Sequence, residues 1–402
     1  MSGYASPGFR PAGYPRWAHT REPWIDFPKV SLHDHLDGSL RPETLIELAA
    51  AHGVALPHDD PETLARWFIG DVAEPVVTDW EEKFGLTTAV MQTEAALVRI
   101  AREWVIEAAA DGVVYGEVRW APEKHTLGAL PLRVAVEAVA AGLREGEDTV
   151  AVAGGRIRAR QLLCGMRTSA RSAEIARLAV DTYGEWGDSV AGYDIAGLET
   201  GFPVRAHLDA IDALERAGVP YTIHTGEGDG EHSVWETVHL AHALRLGHGV
   251  RVIEDVRLNG RPLDVRTAVR DVAAARAAGA AELTLGRTAQ WVIDRRIPLE
   301  VCVSSNAMAV LDGIENHPID LLRELGFTLT INPDNRLISM VCISAEFRRI
   351  QEWFGWGVPE FQAVELAGVE AAFLSGPEKT ALAADVRAAI AAFTPAAPHP
   401  AP

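Results

Sequence analysis

The feature that most restricts the fold of this chain is a regular alternation of short apolar runs with longer helical stretches. Eight runs rich in β-branched and apolar residues are separated by segments rich in Ala, Leu and Arg. The runs begin at Lys29, Val113, Arg158, Val190, Pro220, Arg245, Leu299 and Phe327. Strands that alternate with helices indicate parallel βαβ units. Eight such units in one chain predict the α/β class and a closed (β/α)₈ TIM barrel.

The connection between the first two runs is longer than one crossover helix needs. Residues 61–110 contain the helical patterns ARWFI and FGLTTAVMQTEAALVRIA. We therefore expect an inserted helical lid after strand one, above the mouth of the barrel. On spacing alone its aromatic side chains belong to the core, and the alternative is that some of them cover a bound ligand. These side chains are Trp67, Phe68, Trp80 and Phe84.

The two ends of the chain differ in composition from its centre. Residues 1–25 are rich in Gly, Pro and aromatic residues and have no hydrophobic period, and residues 394–402 read TPAAPHPAP. Between them no stretch has the composition of a linker. We expect a flexible N-terminal segment over residues 1–25, a single domain over residues 26–393 and a disordered tail over residues 394–402.

Charge and composition exclude several classes of partner. The net charge is −19, from 37 basic and 56 acidic residues, and such a surface repels phosphate backbones and anionic membranes. No apolar run is as long as a membrane span, and the first residues lack the apolar core of a secretion signal. The few, scattered cysteines fit a reduced compartment. We therefore expect a cytoplasmic protein that binds neither nucleic acid nor membranes.

Polar side chains collect at the carboxyl ends of the predicted strands, where a TIM barrel places its active site. His33 and His35 lie two residues apart on the first strand and therefore point to the same side. His224, His248 and Asp334 follow strands five, six and eight. Three histidines and one carboxylate form a nitrogen and oxygen site that suits zinc and leaves a position for water. The alternative, that polar residues merely gather in loops, has to produce a ligand-type residue at four separate strand ends.

Other metal and nucleotide motifs are missing or incomplete. The P-C-x-x-C pair of cytidine-type zinc deaminases is absent, and so is the H-E-x-x-H motif of metalloproteases. Gly226 and Gly228 begin a glycine-rich run, but Glu231 stands where a dinucleotide fingerprint has its third glycine. A phosphate-binding loop is therefore disfavoured.

Six motifs, in order and across nearly the whole chain, resemble those of the adenosine deaminase family in the amidohydrolase superfamily. They are SLHDHLDGS, GYDIAGLE, HTGEGDG, LGHGV, CVSSN and NPDN. Each motif is weak alone, whereas six in this order are highly specific. The resemblance implies a zinc-dependent hydrolase that deaminates a purine nucleoside. Adenosine, converted to inosine and ammonia, is the leading substrate, and 2′-deoxyadenosine is a second one.

The resemblance also implies roles for individual residues near the metal. One zinc ion would be bound by His33, His35, His224 and Asp334. Glu227 would protonate the purine ring, and His248 would help to activate the attacking water. Binuclear members of the superfamily bridge two metals with a modified lysine at the end of strand four. GYDIAG contains no lysine, so a single ion is expected.

The substrate would be held by four residues from three strand ends. Asp37 would hold the ribose, Gly197 would contact the purine through its backbone, and His35 would border the substrate as well as the metal. Many relatives carry an aspartate where this chain has Asn335. An amide NH₂ can donate to the purine N7 at any pH, so the change is compatible with adenine recognition.

Three departures from the family pattern leave other substrates open: Asn335, Pro333 and the apolar loop around Met308. The alternatives are free adenine, a 5′-modified adenosine and an aminodeoxyfutalosine-like nucleoside. Asp37 favours an unmodified or small 5′ group if it contacts that end of the ribose. A non-catalytic nucleoside-binding relative is disfavoured, because every expected metal ligand and Glu227 are present.

Overall fold

Eight parallel strands form the centre of the molecule in the computed structural model, which describes residues 22–69 and 80–394. All eight lie within the runs that the sequence predicts, so the predicted barrel strands are confirmed. In chain order they are β1 (Lys29–His35), β2 (Val113–Trp120), β3 (Arg158–Met166), β4 (Val190–Ala196), β5 (Thr222–Thr225), β6 (Arg245–His248), β7 (Leu299–Val301) and β8 (Leu329–Ile331).

Two bridges close these strands into a barrel. Strands β1 to β4 pair in sequence order, and so do β5 to β8. Parallel bridges between Tyr193 and Tyr221 and between Asp34 and Asp334 join the two sets. The second bridge is reinforced by hydrogen bonds from the amide of His35 to the Asp334 carbonyl (2.7 Å) and from the amide of Asp334 to the His33 carbonyl (3.0 Å). Barrel closure therefore places the histidines of β1 beside the aspartate that follows β8.

Helices cover the outside of the barrel, so β1 and β2 are buried along their whole length, as their apolar composition predicts. The helices after β2 are α5 (Leu132–Val152), α6 (Ser172–Thr182), α7 (Leu208–Ala217), α8 (Glu231–His239), α9 (Ala268–Ala277), α10 (Arg287–Asp294), α11 (Val303–Ala309), α12 (Ile319–Glu324), α13 (Ile343–Phe354), α14 (Val358–Ala371) and α15 (Gly376–Ala392). Between β6 and β7 the strands Val256–Leu258, Arg261–Pro262 and Leu283–Leu285 form a small antiparallel sheet. Within the described ranges, each helix is either too short or too polar to span a bilayer.

The predicted helical insertion after strand one is confirmed. Four helices lie between β1 and β2, namely α1 (Pro42–His52), α2 (Pro61–Ile69), α3 (Trp80–Ala89) and α4 (Glu94–Ala110). Helix α3 packs against the 3₁₀ helix Leu36–Gly38 at the carboxyl end of β1. Its Phe84 ring lies 6.2 Å from the ring of His35, whereas Phe68 is fully buried in the core. The aromatic stripe therefore divides between the core and the barrel mouth.

The packed part of the chain begins earlier than its composition predicts. Trp24 is only 2% exposed, and its ring packs against those of Phe361 (4.6 Å) and Phe393 (5.7 Å). Residues 22–25 therefore belong to the folded domain, because Trp24 is held by aromatic partners that are distant in sequence. The rest of the predicted flexible segment, residues 1–21, lies outside the described residues, as do residues 395–402 of the predicted tail.

Candidate active site

Four side chains from three strand ends bring one donor atom each to a common region at the carboxyl end of the barrel. Nε2 of His35 lies 3.2 Å from Nε2 of His224 and 3.3 Å from Oδ1 of Asp334. Nε2 of His33 lies 3.4 Å from the same aspartate oxygen and has no hydrogen-bond partner, although it is buried. A buried, unpaired imidazole nitrogen among other donors fits a metal ion, and the donor set is the one that zinc accepts.

Each histidine of this cluster turns its other ring nitrogen, Nδ1, towards a buried carboxylate. The pairs are His33 with Glu300 at 2.9 Å, His224 with Asp194 at 2.9 Å and His35 with Asp37 at 3.9 Å. An ionised carboxylate only accepts hydrogen bonds, so Nδ1 of His33 carries the proton in its hydrogen bond to Glu300. The negative charge of Asp194 beside Nδ1 of His224 favours the same tautomer there. Their Nε2 atoms are then free to offer a lone pair. Carboxylate partners of this kind are typical of metal-ligating histidines.

Two buried arginines hold these carboxylates in place. Arg119 of β2 donates to Oδ2 of Asp194 and Oε2 of Glu300, both at 2.7 Å. Arg245 of β6 donates to the other oxygen of Glu300 at 2.6 Å and to Glu117 at 2.7 Å. All five side chains are fully buried inside the barrel. The histidines of the cluster are therefore supported by buried ion pairs between arginines and carboxylates.

Burial and these charges set the ionisation of the cluster. Burial would raise the pKa of Glu300, but Arg119 and Arg245 hold that pKa well below its usual range. Burial lowers the pKa of His35 to about 3 and also lowers the pKa of His224, so both imidazoles are neutral near pH 7. Burial acts in the same direction on His33, whose pKa is nevertheless raised by its two carboxylate neighbours. Neutral imidazoles and ionised carboxylates are the forms that bind metal.

A second group of metal-ligating side chains overlaps the first in the described part of the chain. It contains His33, His248, Cys302 and Asp334, whose donor atoms all lie within 4.8 Å of one another. Sequence reasoning assigned Cys302 no role. Burial raises the pKa of its thiol well above the usual value, and Sγ lies 3.5 Å from the Glu300 carbonyl. A protonated thiol is a poor metal ligand, which favours the set without Cys302.

Glu227 lies at the edge of the cluster, in the loop after β5. Its Oε2 is 3.4 Å from Nε2 of His248, and its side chain keeps 27% of its surface exposed. Burial raises the pKa of Glu227 well above its usual value, and the charges of Asp334 and Glu199 act in the same direction. The raised pKa favours the protonated carboxyl group, which is the form that can donate.

Glu199, which sequence reasoning quoted in a motif but gave no role, fixes the loop that carries Glu227. Its carboxylate accepts hydrogen bonds from the backbone amides of Gly226 (2.7 Å), Glu227 (3.0 Å) and Asp229 (3.0 Å). It also accepts one from the hydroxyl of Ser233. A single buried carboxylate thus holds three backbone amides of the loop that carries Glu227.

Backbone strain coincides with two of the predicted site residues. His248 and Asp334 have φ angles of +62° and +64°, in the left-handed region that non-glycine residues rarely adopt. Such conformations cost on the order of 1–3 kcal/mol each and persist where the surrounding structure enforces them. At both positions the strained backbone turns the side chain towards the cluster.

The residues predicted to hold the substrate surround the same strand ends. Asp37 is 4% exposed, accepts a hydrogen bond from the amide of Ala121 (3.2 Å) and keeps Oδ1 without a partner. Gly197 follows β4 with a φ of +94°, which favours glycine. Asn335 is also 4% exposed, and its unpaired Oδ1 lies so close to Gly38 that a Cβ there would be 2.0 Å away. Gly38 is therefore needed for Asn335 to occupy its place.

Four functional candidates were missed by reading the strand ends alone. They are Arg119, Asp194, Glu199 and Glu300. Three of them lie inside strands that read as buried, and a charged residue in such a run is the signal that could have revealed them. What no local pattern shows is which arginine pairs with which carboxylate across the barrel.

A closed (β/α)₈ barrel with imidazole and carboxylate donors gathered at its strand ends defines a metal-dependent hydrolase. The family model described as adenosine deaminase matches residues 28–389. Adenosine deaminase 1 of Streptomyces coelicolor is 43% identical to this chain over 361 residues, 89% of this chain and 86% of the relative. An adenosine deaminase of Mycobacteroides abscessus is 41% identical over 361 residues, 89% and 94% of the two chains. The chain therefore belongs to the adenosine deaminase family and is a hydrolase that acts on a C–N bond.

A solved structure supports the fold independently. An amidohydrolase from Burkholderia ambifaria with bound zinc superposes with a TM-score of 0.72 at 22% identity, covering 97% of this chain and 96% of that chain. At this identity the likeness concerns the fold alone. It agrees with the barrel, and the relatives confirm the resemblance that the six motifs indicate.

Proposed function

We propose that this protein converts adenosine and water to inosine and ammonia, with one zinc ion held by His33, His35, His224 and Asp334. The observation that supports this most directly is the convergence of these four donors beside Glu227, a carboxyl group whose pKa is raised by burial. A single ion is proposed because β4 and the turn after it contain no lysine that could bridge two metals.

The chain's own groups supply the proton transfer and the positioning. When bound, zinc supplies the Lewis acidity that makes a water molecule nucleophilic near neutral pH. Glu227 donates its proton to N1 of the purine, which makes C6 electron-poor and open to attack. General acid catalysis of this kind contributes roughly 10²–10⁴-fold. His248, beside Glu227, contacts the attacking oxygen. As the C6–N bond breaks, the attacking water gives one of its two protons back to Glu227 and the other to the amino group, which leaves as ammonia.

Substrate recognition is proposed to rest on the buried side chains of Asp37 and Asn335 and on the backbone of Gly197. Burial would raise the pKa of Asp37, but His125 and His35 lower it, so the carboxylate is ionised and its free Oδ1 can accept from a ribose hydroxyl. The amide NH₂ of Asn335 donates to N7. Gly197 presents its backbone to the purine, and His35 borders the ring.

The proposal is tested by the ultraviolet change of adenosine on addition of metal-analysed protein, with adenine and 5′-modified adenosines in parallel. We expect rapid conversion of adenosine to inosine, lost on chelation and restored by zinc. No turnover of adenosine at full zinc occupancy would contradict the proposed substrate. Faster turnover of free adenine would show instead that Asp37 does not hold a ribose.

Phe84 is expected to contribute to substrate binding as part of the lid. Its ring lies 6.2 Å from that of His35, at the mouth of the barrel. An aromatic contact worth about 1 kcal/mol corresponds to about fivefold in affinity. We therefore expect Phe84→Ala to raise KM for adenosine about fivefold with little change in kcat. Trp67→Ala is the matched control, because Trp67, like Phe84, packs against the core, but its ring lies beside that of Phe68 (5.2 Å). An unchanged KM in Phe84→Ala would show that Phe84 has only this packing role.

The site of action in the cell is proposed from composition and burial. Cys164, Cys302 and Cys342 are buried and free of disulfides. Free buried thiols and an acidic surface suit the reducing cytoplasm. Cell fractionation followed by immunodetection checks this location.

A further inference from the structure

The structure assigns a tautomer to His248: we infer that Asn306 and His317 fix its proton on Nε2, so that it donates a hydrogen bond to the attacking oxygen and does not act as a base. This inference rests on the proposed function and deepens it. It concerns two residues, Asn306 and His317, that lie behind His248 and contact neither metal ligand nor substrate in the scheme above. Both are fully buried.

A backbone amide fixes the direction of the first hydrogen bond behind His248. The N–H of Ile319 lies 3.0 Å from Nδ1 of His317. A backbone N–H can only donate, so Nδ1 of His317 accepts and carries no proton. The proton of this imidazole is therefore on Nε2. Consistent with a neutral ring, burial lowers the pKa of His317 to about 3.

The next link is the side-chain amide of Asn306 on α11. Nε2 of His317, now a donor, lies 3.3 Å from Oδ1 of Asn306. The oxygen of the amide accepts this hydrogen bond, so the NH₂ group occupies the other side. That NH₂ lies 3.1 Å from Nδ1 of His248 and can only donate to it.

His248 therefore receives a hydrogen bond on Nδ1 and must carry its single proton on Nε2. A doubly protonated ring would place an N–H against the amide N–H of Asn306, so the hydrogen-bond chain itself requires the neutral form. Nε2 is the atom that lies 3.4 Å from Oε2 of Glu227. It therefore faces the reacting groups as a donor.

This tautomer separates His248 from the metal ligands. The distances alone do not distinguish His248 from a metal ligand, because the donor atoms of His248, His33 and Asp334 lie within 4.8 Å of one another. A nitrogen that carries a proton has no lone pair to offer to a metal. It can neither ligate zinc nor accept a proton from water, whereas it can stabilise negative charge that develops on the attacking oxygen. Asn306 and His317 are thus positioning residues.

The tautomer can be read directly by nitrogen-15 NMR of the zinc-loaded protein labelled at histidine, because protonated and bare ring nitrogens resonate in separate ranges. The signals of His248 are assigned from the spectrum of His248→Asn, which lacks them. We expect a protonated Nε2 and a bare Nδ1. The opposite pattern in the wild-type protein would overturn the inference, and this measurement requires no variant of Asn306 to fold.

Asn306→Asp tests whether the side-chain amide of Asn306 fixes the tautomer of His248. A carboxylate still accepts from His317, but it can no longer donate to His248, so the proton of His248 is expected to move to Nδ1. Loss of one positioned donor to a developing oxyanion typically lowers kcat by about 10²–10³-fold, and we expect a loss of this size with KM changed little. The matched control is Asn259→Asp, an exposed asparagine with a φ of +51° whose Oδ1 accepts from the amide of Glu282. It should leave both the tautomer and kcat unchanged.

The outcomes separate this inference from the proposed function. If Asn306→Asp folds and the tautomer of His248 stays the same, Asn306 does not fix it. If the tautomer changes and kcat does not, the proton on Nε2 has no role in turnover. If the wild-type tautomer is as inferred but adenosine is not deaminated, only the proposed substrate is wrong.

Discussion

Replacing Glu227 with glutamine is expected to lower kcat for adenosine by about 10²–10⁴-fold while the zinc content stays unchanged. Glutamine has nearly the same shape and can still form a hydrogen bond to N1, but it has no proton to transfer. Glu227 is also not one of the four converging donors, so metal binding is not expected to depend on it. Steady-state kinetics and metal analysis of the same preparation check both parts.

The matched control for this variant is Asp229→Asn in the same loop. Asp229 is exposed, and its Oδ1 accepts a hydrogen bond from the amide of Gly230 at 2.8 Å, which an asparagine oxygen can also accept. We expect wild-type turnover from this control. Normal kcat in Glu227→Gln would remove Glu227 from the proposed mechanism, and an equal loss in Asp229→Asn would assign the effect to the charge of the loop.

Replacing His224 with asparagine is expected to remove the metal and with it the activity. Nε2 of His224 lies 3.2 Å from that of His35, and the shorter asparagine cannot bring a donor to the same place. The change also leaves Asp194 without its imidazole partner. Loss of an outer partner of a metal ligand typically costs 10–100-fold in metal affinity, and loss of the ligand itself should cost more. Zinc affinity by competition with a chelator measures this effect without any assay of turnover.

His242→Asn provides the matched control for this prediction. The side chain of His242 is 62% exposed, and its backbone φ of +49° is one that asparagine tolerates. A ligand that binds only the folded state raises the melting temperature. We therefore expect added zinc to raise Tm of the wild-type protein and of His242→Asn, but not of His224→Asn. Full zinc occupancy and turnover in His224→Asn would contradict the proposed ligand set.

Much of the fold could be predicted from local patterns because of the way a parallel barrel is built. Its strands are buried on both faces, so they read as short apolar runs, and each is followed by a helix with its own period. The carboxyl ends of all eight strands meet at one face, so the order of the strands alone predicts that polar residues such as His224 and Asp334 lie together. Residue type and position along the chain are therefore sufficient to predict the strands and the face of the barrel that carries the site.

The ion pairs that hold the histidines of the site in place join residues that are far apart in the sequence, so no local pattern predicts them. Arg119 joins Asp194 and Glu300 across the barrel, over 75 and 181 residues of chain, and only closure of the strands brings these charges together. The same holds for Trp24, which packs against Phe361 and Phe393 more than three hundred residues away along the chain. Local composition therefore assigned this residue to a flexible segment, and long-range packing made it part of the core.

The amino-acid sequence thus predicts which residues supply donor atoms to the site, whereas the folded chain sets the protonation state of each donor atom. Residue identity determines that His33, His224 and His248 are imidazoles near one strand edge. Which nitrogen of each ring bears a proton depends on the neighbour that tertiary packing places against it, a carboxylate for His33 and His224 and the amide of Asn306 for His248. Hydrogen bonds act over about 3 Å, so only a three-dimensional arrangement can distinguish a metal ligand from a hydrogen-bond donor among identical side chains.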